Sequence, residues 1–187
     1  TRAWRRDNAK GQMYVVRYAD DFVTLFERED EARRYWGDLK DRMATFCLEL
    51  HPEKTRLIEF GRNATKSRAK KGQGKPDTFD FLGFKHICGQ TLKGLFTIFR
   101  YPIPKRFTAK LSAIAAQLRR KLHDPIPKVG NWLGSVLRGY VNYFGVPMNS
   151  RALGVFRRTI GWYWWRTLRR RSQRHAISPD RMRRLVA

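Results

Sequence analysis

Asp20 and Asp21 stand side by side between two apolar, β-branched and aromatic runs, Met13 to Val16 and Phe22 to Phe26. Such runs predict the two strands of a hairpin with Tyr18, Ala19, Asp20 and Asp21 at its tip. Adjacent strand residues point to opposite faces, but a tight turn can present both carboxylates at one edge. Two carboxylates there suit Mg²⁺, with Mn²⁺ as a substitute, because a hard cation takes oxygen ligands and leaves room for substrate phosphates. Metal ions held in this way stabilise the attacking and leaving oxygens of phosphoryl transfer. The plainer reading is an acidic turn that only solubilises the hairpin. Other metal-binding residue types are not grouped. Cys47 and Cys88 form no Cys-x-x-Cys, and His51, His86, His123 and His175 form no His-x-x-x-His pair. His86-x-Cys88 reads as ordinary strand side chains. Two separated cysteines fit a reduced, cytoplasmic protein.

The elements that must position the acidic pair follow from hydrophobic periodicity. A helix is predicted from Glu29 to Phe46, with Ala32, Tyr35, Trp36, Leu39, Met43 and Phe46 on one face. Glu29, Asp30 and Glu31 favour its N-terminus through the helix dipole. His51-Pro52-Glu53-Lys54 reads as a turn, and Thr55 to Phe60 as a further strand. Gly61 to Asp77 reads as a linker, rich in Gly, Lys and Arg. Thr78 to Ile87 and Phe96 to Tyr101 predict a second hairpin, turning through Gly89 to Gly94. Beyond Pro104 the period becomes helical. Phe107, Leu111, Ile114, Leu118 and Leu122 make one stripe, ended by Asp124-Pro125. Val129, Trp132, Leu133, Val136, Leu137, Tyr140, Val141 and Phe144 make a second. Leu153, Phe156, Ile160, Tyr163, Trp164 and Leu168 make a third, with Asn149 or Ser150 as N-cap. Ser178-Pro179-Asp180 predicts the start of a short last helix. The fold class expected is α+β, with an α+β region over 1–101 and a helical one over 105–187.

Charge sets the class of partner. The chain of 187 residues carries a formal net charge of +24. Residues 1–80 hold 18 basic and 14 acidic residues, whereas 81–187 hold 22 basic residues and only Asp124 and Asp180. A segment of one sign repels itself unless a polyanion neutralises it, and nucleic acid is the usual polyanion. Aromatic rings among the arginines point the same way, because rings and guanidinium planes both stack on bases. No run of 18 apolar residues exists, which argues against a membrane span. The first residues have no apolar core of a signal peptide. They also lack a Met, so residue 1 is not expected to be a natural start, and the chain is expected to be a fragment, a cleaved product or a trimmed form.

Several motifs in order resemble one family. Tyr14-Val-Val-Arg-Tyr-Ala-Asp-Asp-Phe22 is similar to the catalytic palm motif of reverse transcriptases. His51-Pro-Glu-Lys-Thr-Arg56 resembles the palm motif that follows it, with its lysine. Phe79-Asp-Phe-Leu-Gly-Phe84 resembles the primer grip. Leu137-Arg-Gly-Tyr-Val-Asn-Tyr-Phe-Gly145 and the arginine-rich stretch after it resemble the thumb, or maturase region, of bacterial group II intron proteins. The resemblance implies the C-terminal part of a palm, an antiparallel sheet with a helix, followed by a helical thumb. It implies RNA-directed DNA polymerisation from dNTPs on a template-primer, and binding of the parent intron RNA to assist its splicing. Carried over, Asp20 is a metal ligand and Asp21 its acidic partner. Lys54 would help pyrophosphate leave, or is simply a solvated turn lysine. Phe81, Leu82 and Gly83 would place the primer end, or form an ordinary buried hairpin.

In the thumb, Leu153, Phe156, Ile160 and Trp164 read as core. The other surface carries Arg151, Arg157, Arg158, Arg166, Arg169, Arg170, Arg171 and Arg174 with no acid among them, which argues for phosphate contacts. Tyr140, Tyr143, Trp162 and Trp165 either stack on bases or pack internally. The chain departs from the family in lacking fingers and an earlier palm strand with a first catalytic Asp. Only Asp7 precedes Tyr14. No Cys/His-bearing endonuclease domain follows the thumb. The expectation is a chain that binds RNA but polymerises poorly unless the missing N-terminal region is supplied in trans. The alternative is a non-catalytic, maturase-like RNA-binding module.

Overall fold

The computed structural model describes residues 1–171, 177, 178 and 180–182. It has two compact units, Thr1–Phe60 and Gly61–Ala187. The sheet formed by residues 79–102 therefore lies in the same unit as the helices that follow it.

The first unit contains α1 (Arg2–Asn8), β1 (Met13–Tyr18), β2 (Asp21–Phe26) and α2 (Glu29–Ala44). The predicted hairpin is present. β1 and β2 pair antiparallel from Met13 opposite Phe26 to Tyr18 opposite Asp21. Alternation along the strands makes two unlike faces. Met13 is buried, and Phe26 meets the rings of Trp4 and Tyr35 at 5.9 and 5.3 Å. On the other face Tyr14, Val16, Tyr18 and Leu25 are exposed. α2 is shorter than predicted. Ala32 and Tyr35 are buried, but Phe46 lies past the helix end and is exposed. Glu31, read as a first-turn acid, is only 3% exposed and accepts the N–H groups of Lys10 and Gly11 at 2.9 and 3.1 Å. The expected strand at Thr55–Phe60 is irregular: it joins neither sheet, and a strand exists only by pairing.

The second unit opens with a helix where a linker was expected, α3 (Ala64–Lys70). It has no apolar stripe, yet it buries Ala64 and ends in a full Schellman cap. Gly72, at φ +66°, donates to Ala69 O at 3.1 Å, and Gln73 donates to Arg68 O at 2.8 Å. β3 (Phe79–Phe81), β4 (Phe84–Gln90) and β5 (Phe96–Pro102) form an antiparallel sheet in that order. The stretch expected as one strand from Thr78 is thus broken by a two-residue turn at Leu82 and Gly83, whose φ angles are +48° and +77°.

α4 (Pro104–Arg120), α5 (Ile126–Phe144) and α6 (Ser150–Arg169) follow the predicted stripes. Their core is Leu111, Ile114, Leu118, Val129, Leu133, Tyr140, Phe156, Ile160, Trp164 and Leu168. Asn149 occupies the N-cap position of α6 without capping it. It is fully buried, and its Nδ2 instead donates to Phe144 O, at the end of α5, at 2.8 Å. Ser178 does cap a helical turn at 180–182, accepting Arg181 N–H on its hydroxyl and Met182 N–H on its carbonyl. The remainder of that predicted helix lies outside the described residues.

Candidate functional site

Asp20 lies within the β1–β2 turn and Asp21 is the first residue of β2. Ala19 has φ +50°, the sense that two-residue hairpin turns use because it matches the twist of the strands. Arg17 Nε bonds Ala19 O at 2.9 Å and braces the tip. Both carboxylates are exposed at one hairpin end. Their oxygens are the donor type that Mg²⁺ prefers. Among the described residues no group of three His, Cys, Asp or Glu side chains is placed to hold a metal ion. The pair therefore fits Mg²⁺ in kind, as an incomplete set of two oxygen donors. Asp7 does not add a third: it sits on α1, paired with Arg6 at 2.7 Å. Lys54 sits on a separate exposed turn closed by its own N–H to His51 O at 3.2 Å, with no ion pair to Asp20 or Asp21 among the described residues.

Phe81, Leu82 and Gly83 form the β3–β4 turn, and this turn is held from the helical side. Tyr143 of α5 donates its hydroxyl to Leu82 O at 2.8 Å, and Ile103, just before α4, donates its N–H to Gly83 O at 3.1 Å. On β4, His86 stacks on Phe79 at 4.7 Å. Burial, more than the nearby Arg100 charge, pushes the imidazole below its usual range.

α6 turns its core residues inward and most of its arginines outward. Arg151, Arg157, Arg158, Arg166, Arg169 and Arg170 are exposed. At 100° per residue, Arg151, Arg158, Trp162 and Arg169 share the face opposite the core. Trp162 is 46% exposed, with the Arg166 guanidinium 4.6 Å over its ring. Arg169 covers Trp165 likewise at 4.9 Å. Arg171 differs from the others. It is half-buried and donates to Asp124 O at 2.6 Å, so its guanidinium ties the end of α6 to the α4–α5 loop. Arg174 lies outside the described residues.

The four aromatics left open between base stacking and internal packing part company. Tyr140 is core, stacked on Phe156 at 3.6 Å, and burial pushes its hydroxyl up to about 12. Trp165 donates to Ile177 O at 3.1 Å, an internal bond. Tyr143 braces the β3–β4 turn. Trp162 keeps an exposed ring on the face of α6 opposite the core. Tyr143 as a brace and Glu31 as a buried acceptor were not legible, because both roles depend on partners 61 and about 20 residues away.

Comparison with protein families gives two matches in sequence order. Residues 2–86 match the family described as reverse transcriptase (RNA-dependent DNA polymerase), and residues 104–186 match the group II intron maturase-specific domain. No curated protein matches the chain. The first match contains the Asp20–Asp21 hairpin and runs into β4, and the second spans α4, α5 and α6. With an acidic palm hairpin, an arginine-faced helix and both family matches in this order, the chain belongs to the group II intron reverse transcriptase and maturase family.

Proposed function

We propose that this chain is the intron-RNA-binding and template-primer-binding portion of a group II intron reverse transcriptase, and that its palm hairpin supplies two of the enzyme's metal-binding carboxylates. The observation that carries this reading is the outward face of α6. Arginines there flank an exposed Trp162 on a helix that its own apolar stripe holds in place. Such a face contacts phosphate through guanidinium groups and offers a ring to an unpaired base. In the palm, Asp20 and Asp21 would hold Mg²⁺. When bound, the ion would supply charge neutralisation for phosphoryl transfer from a dNTP. Lys54 would add positive charge for the departing pyrophosphate. Phe81, Leu82 and Gly83 would meet the primer end.

The chain alone should extend a DNA primer on an RNA template only at background level. Addition of a polypeptide carrying the fingers and an earlier palm Asp should restore synthesis, and Asp20→Ala should abolish that restored synthesis. Robust extension by the 187-residue chain alone would overturn the account of an incomplete carboxylate set. A second reading, an RNA-binding module without palm chemistry, is favoured by one observation: among the described residues no third ligand stands beside Asp20 and Asp21. RNA binding retained with no synthesis restored by the added polypeptide would support it.

A further inference from the structure

We infer that Tyr143 is a positioning residue for the primer end, acting through the Leu82–Gly83 turn. The inference rests on the reading that Phe81, Leu82 and Gly83 meet that end. Tyr143 is the penultimate residue of α5, and its hydroxyl reaches Leu82 O at 2.8 Å. Its ring stacks on Phe84, the first residue of β4, at 5.8 Å with 14° between planes. Phe144 stands edge-on to the same Phe84 ring at 5.0 Å. Tyr143, Arg106 and Phe144 all come within 3.7 to 3.8 Å of where a Cβ on Gly83 would stand. The turn is therefore seated in side chains from α4 and α5.

The turn needs holding. Two-residue hairpin turns with positive φ at both positions favour Asn-Gly, because Asn tolerates the left-handed region and Leu does not. Leu82 adopts φ +48° all the same. A residue in that region persists when its surroundings over-determine it. Here two bonds do so: Tyr143 Oη on the carbonyl of Leu82 and the Ile103 N–H on the carbonyl of Gly83. The peptide between Leu82 and Gly83 is the one free to flip in such a turn, and Tyr143 holds its oxygen toward α5. This also accounts for a tyrosine that is 55% exposed yet does not have a free hydroxyl.

The test uses the 187-residue chain and an RNA template annealed to a DNA primer whose 3′-terminal nucleotide is 4-thiothymidine. After irradiation, the crosslinked residues are mapped by mass spectrometry. The wild type should crosslink within residues 79–84. Tyr143→Phe keeps the stacked ring and removes only the hydroxyl. It should cut the yield at those residues about fivefold, the weight of one neutral hydrogen bond, while changing hybrid affinity by less than about twofold. If the wild type crosslinks at the turn and Tyr143→Phe does so equally, the role of Tyr143 is overturned and the primer-end reading stands. If the wild type does not crosslink there, the primer-end reading falls and takes this inference with it. If yield and hybrid affinity fall together, Tyr143 serves folding alone and the inference is overturned.

Discussion

Glu31 lies in the first turn of α2, where an acid is ordinarily a solvated partner of the helix dipole. Here it is buried and accepts two main-chain N–H groups from the segment between α1 and β1. Removing such an acceptor strands both donors. Glu31→Ala should destabilise the first unit by about 2 to 3 kcal/mol. The measurement is amide exchange at Lys10 and Gly11; unchanged protection at both would contradict the role given to Glu31. His86 predicts a pH effect of definite sign. Its folded-state pKa lies below the ordinary value of 6.5, so the unfolded chain binds its proton first as pH falls. Stability from this residue is complete above about pH 6.5 and declines as pH drops below that toward the lowered value. His86→Gln should flatten the change in urea midpoint between pH 7.5 and pH 5. An equal slope in both proteins would assign the pH response to other groups.

At the scale of elements, the three long helices were legible because each repeats apolar residues at helical spacing over 17 to 20 residues. The β1–β2 hairpin was legible because β-branched runs flank a short polar turn. α3 was not, since its seven residues bury only Ala64 and give periodicity nothing to register. The signal that would have found it is Gly72, two residues past the helix end. The β3–β4 turn was missed for a related reason: Leu82 is not a turn residue, and its φ is imposed by Tyr143 and Ile103 from outside the hairpin. The acidic tip could be read from sequence, because its two residues are adjacent. The arginines of α6 were legible as a set, but helical phase and the contacts of Arg171 decide which of them face outward. Replacing Arg151, Arg158 and Arg169 with Gln should weaken RNA binding and reduce the salt slope by about 2 to 3. Replacing Lys66 and Lys70 of α3 and Lys75 beyond it should do less, because no ring like Trp162 stands among these cations. Arg68 is left out of that set since it pairs with Asp77 at 2.8 Å. Filter binding at several salt concentrations compares the two variants, and equal losses would mean that charge count alone governs affinity.

Over the whole molecule, +24 charges on 187 residues dominate any encounter with a polyanion. With about six to eight phosphate contacts, log K for RNA should fall against log salt with a slope of roughly −4 to −7. A slope near zero would exclude phosphate as the main contact. No helix among the described residues is long and apolar enough to cross a membrane. The open face of the β1–β2 ribbon, where Tyr14, Val16, Tyr18 and Leu25 are exposed, has a practical consequence for handling the protein. Like charge keeps copies of the chain apart in dilute buffer. High salt screens that repulsion and leaves the ribbon as it is. Colloidal stability should therefore fall where charge is screened, and a lysine in place of Val16 should restore clarity to a turbid suspension.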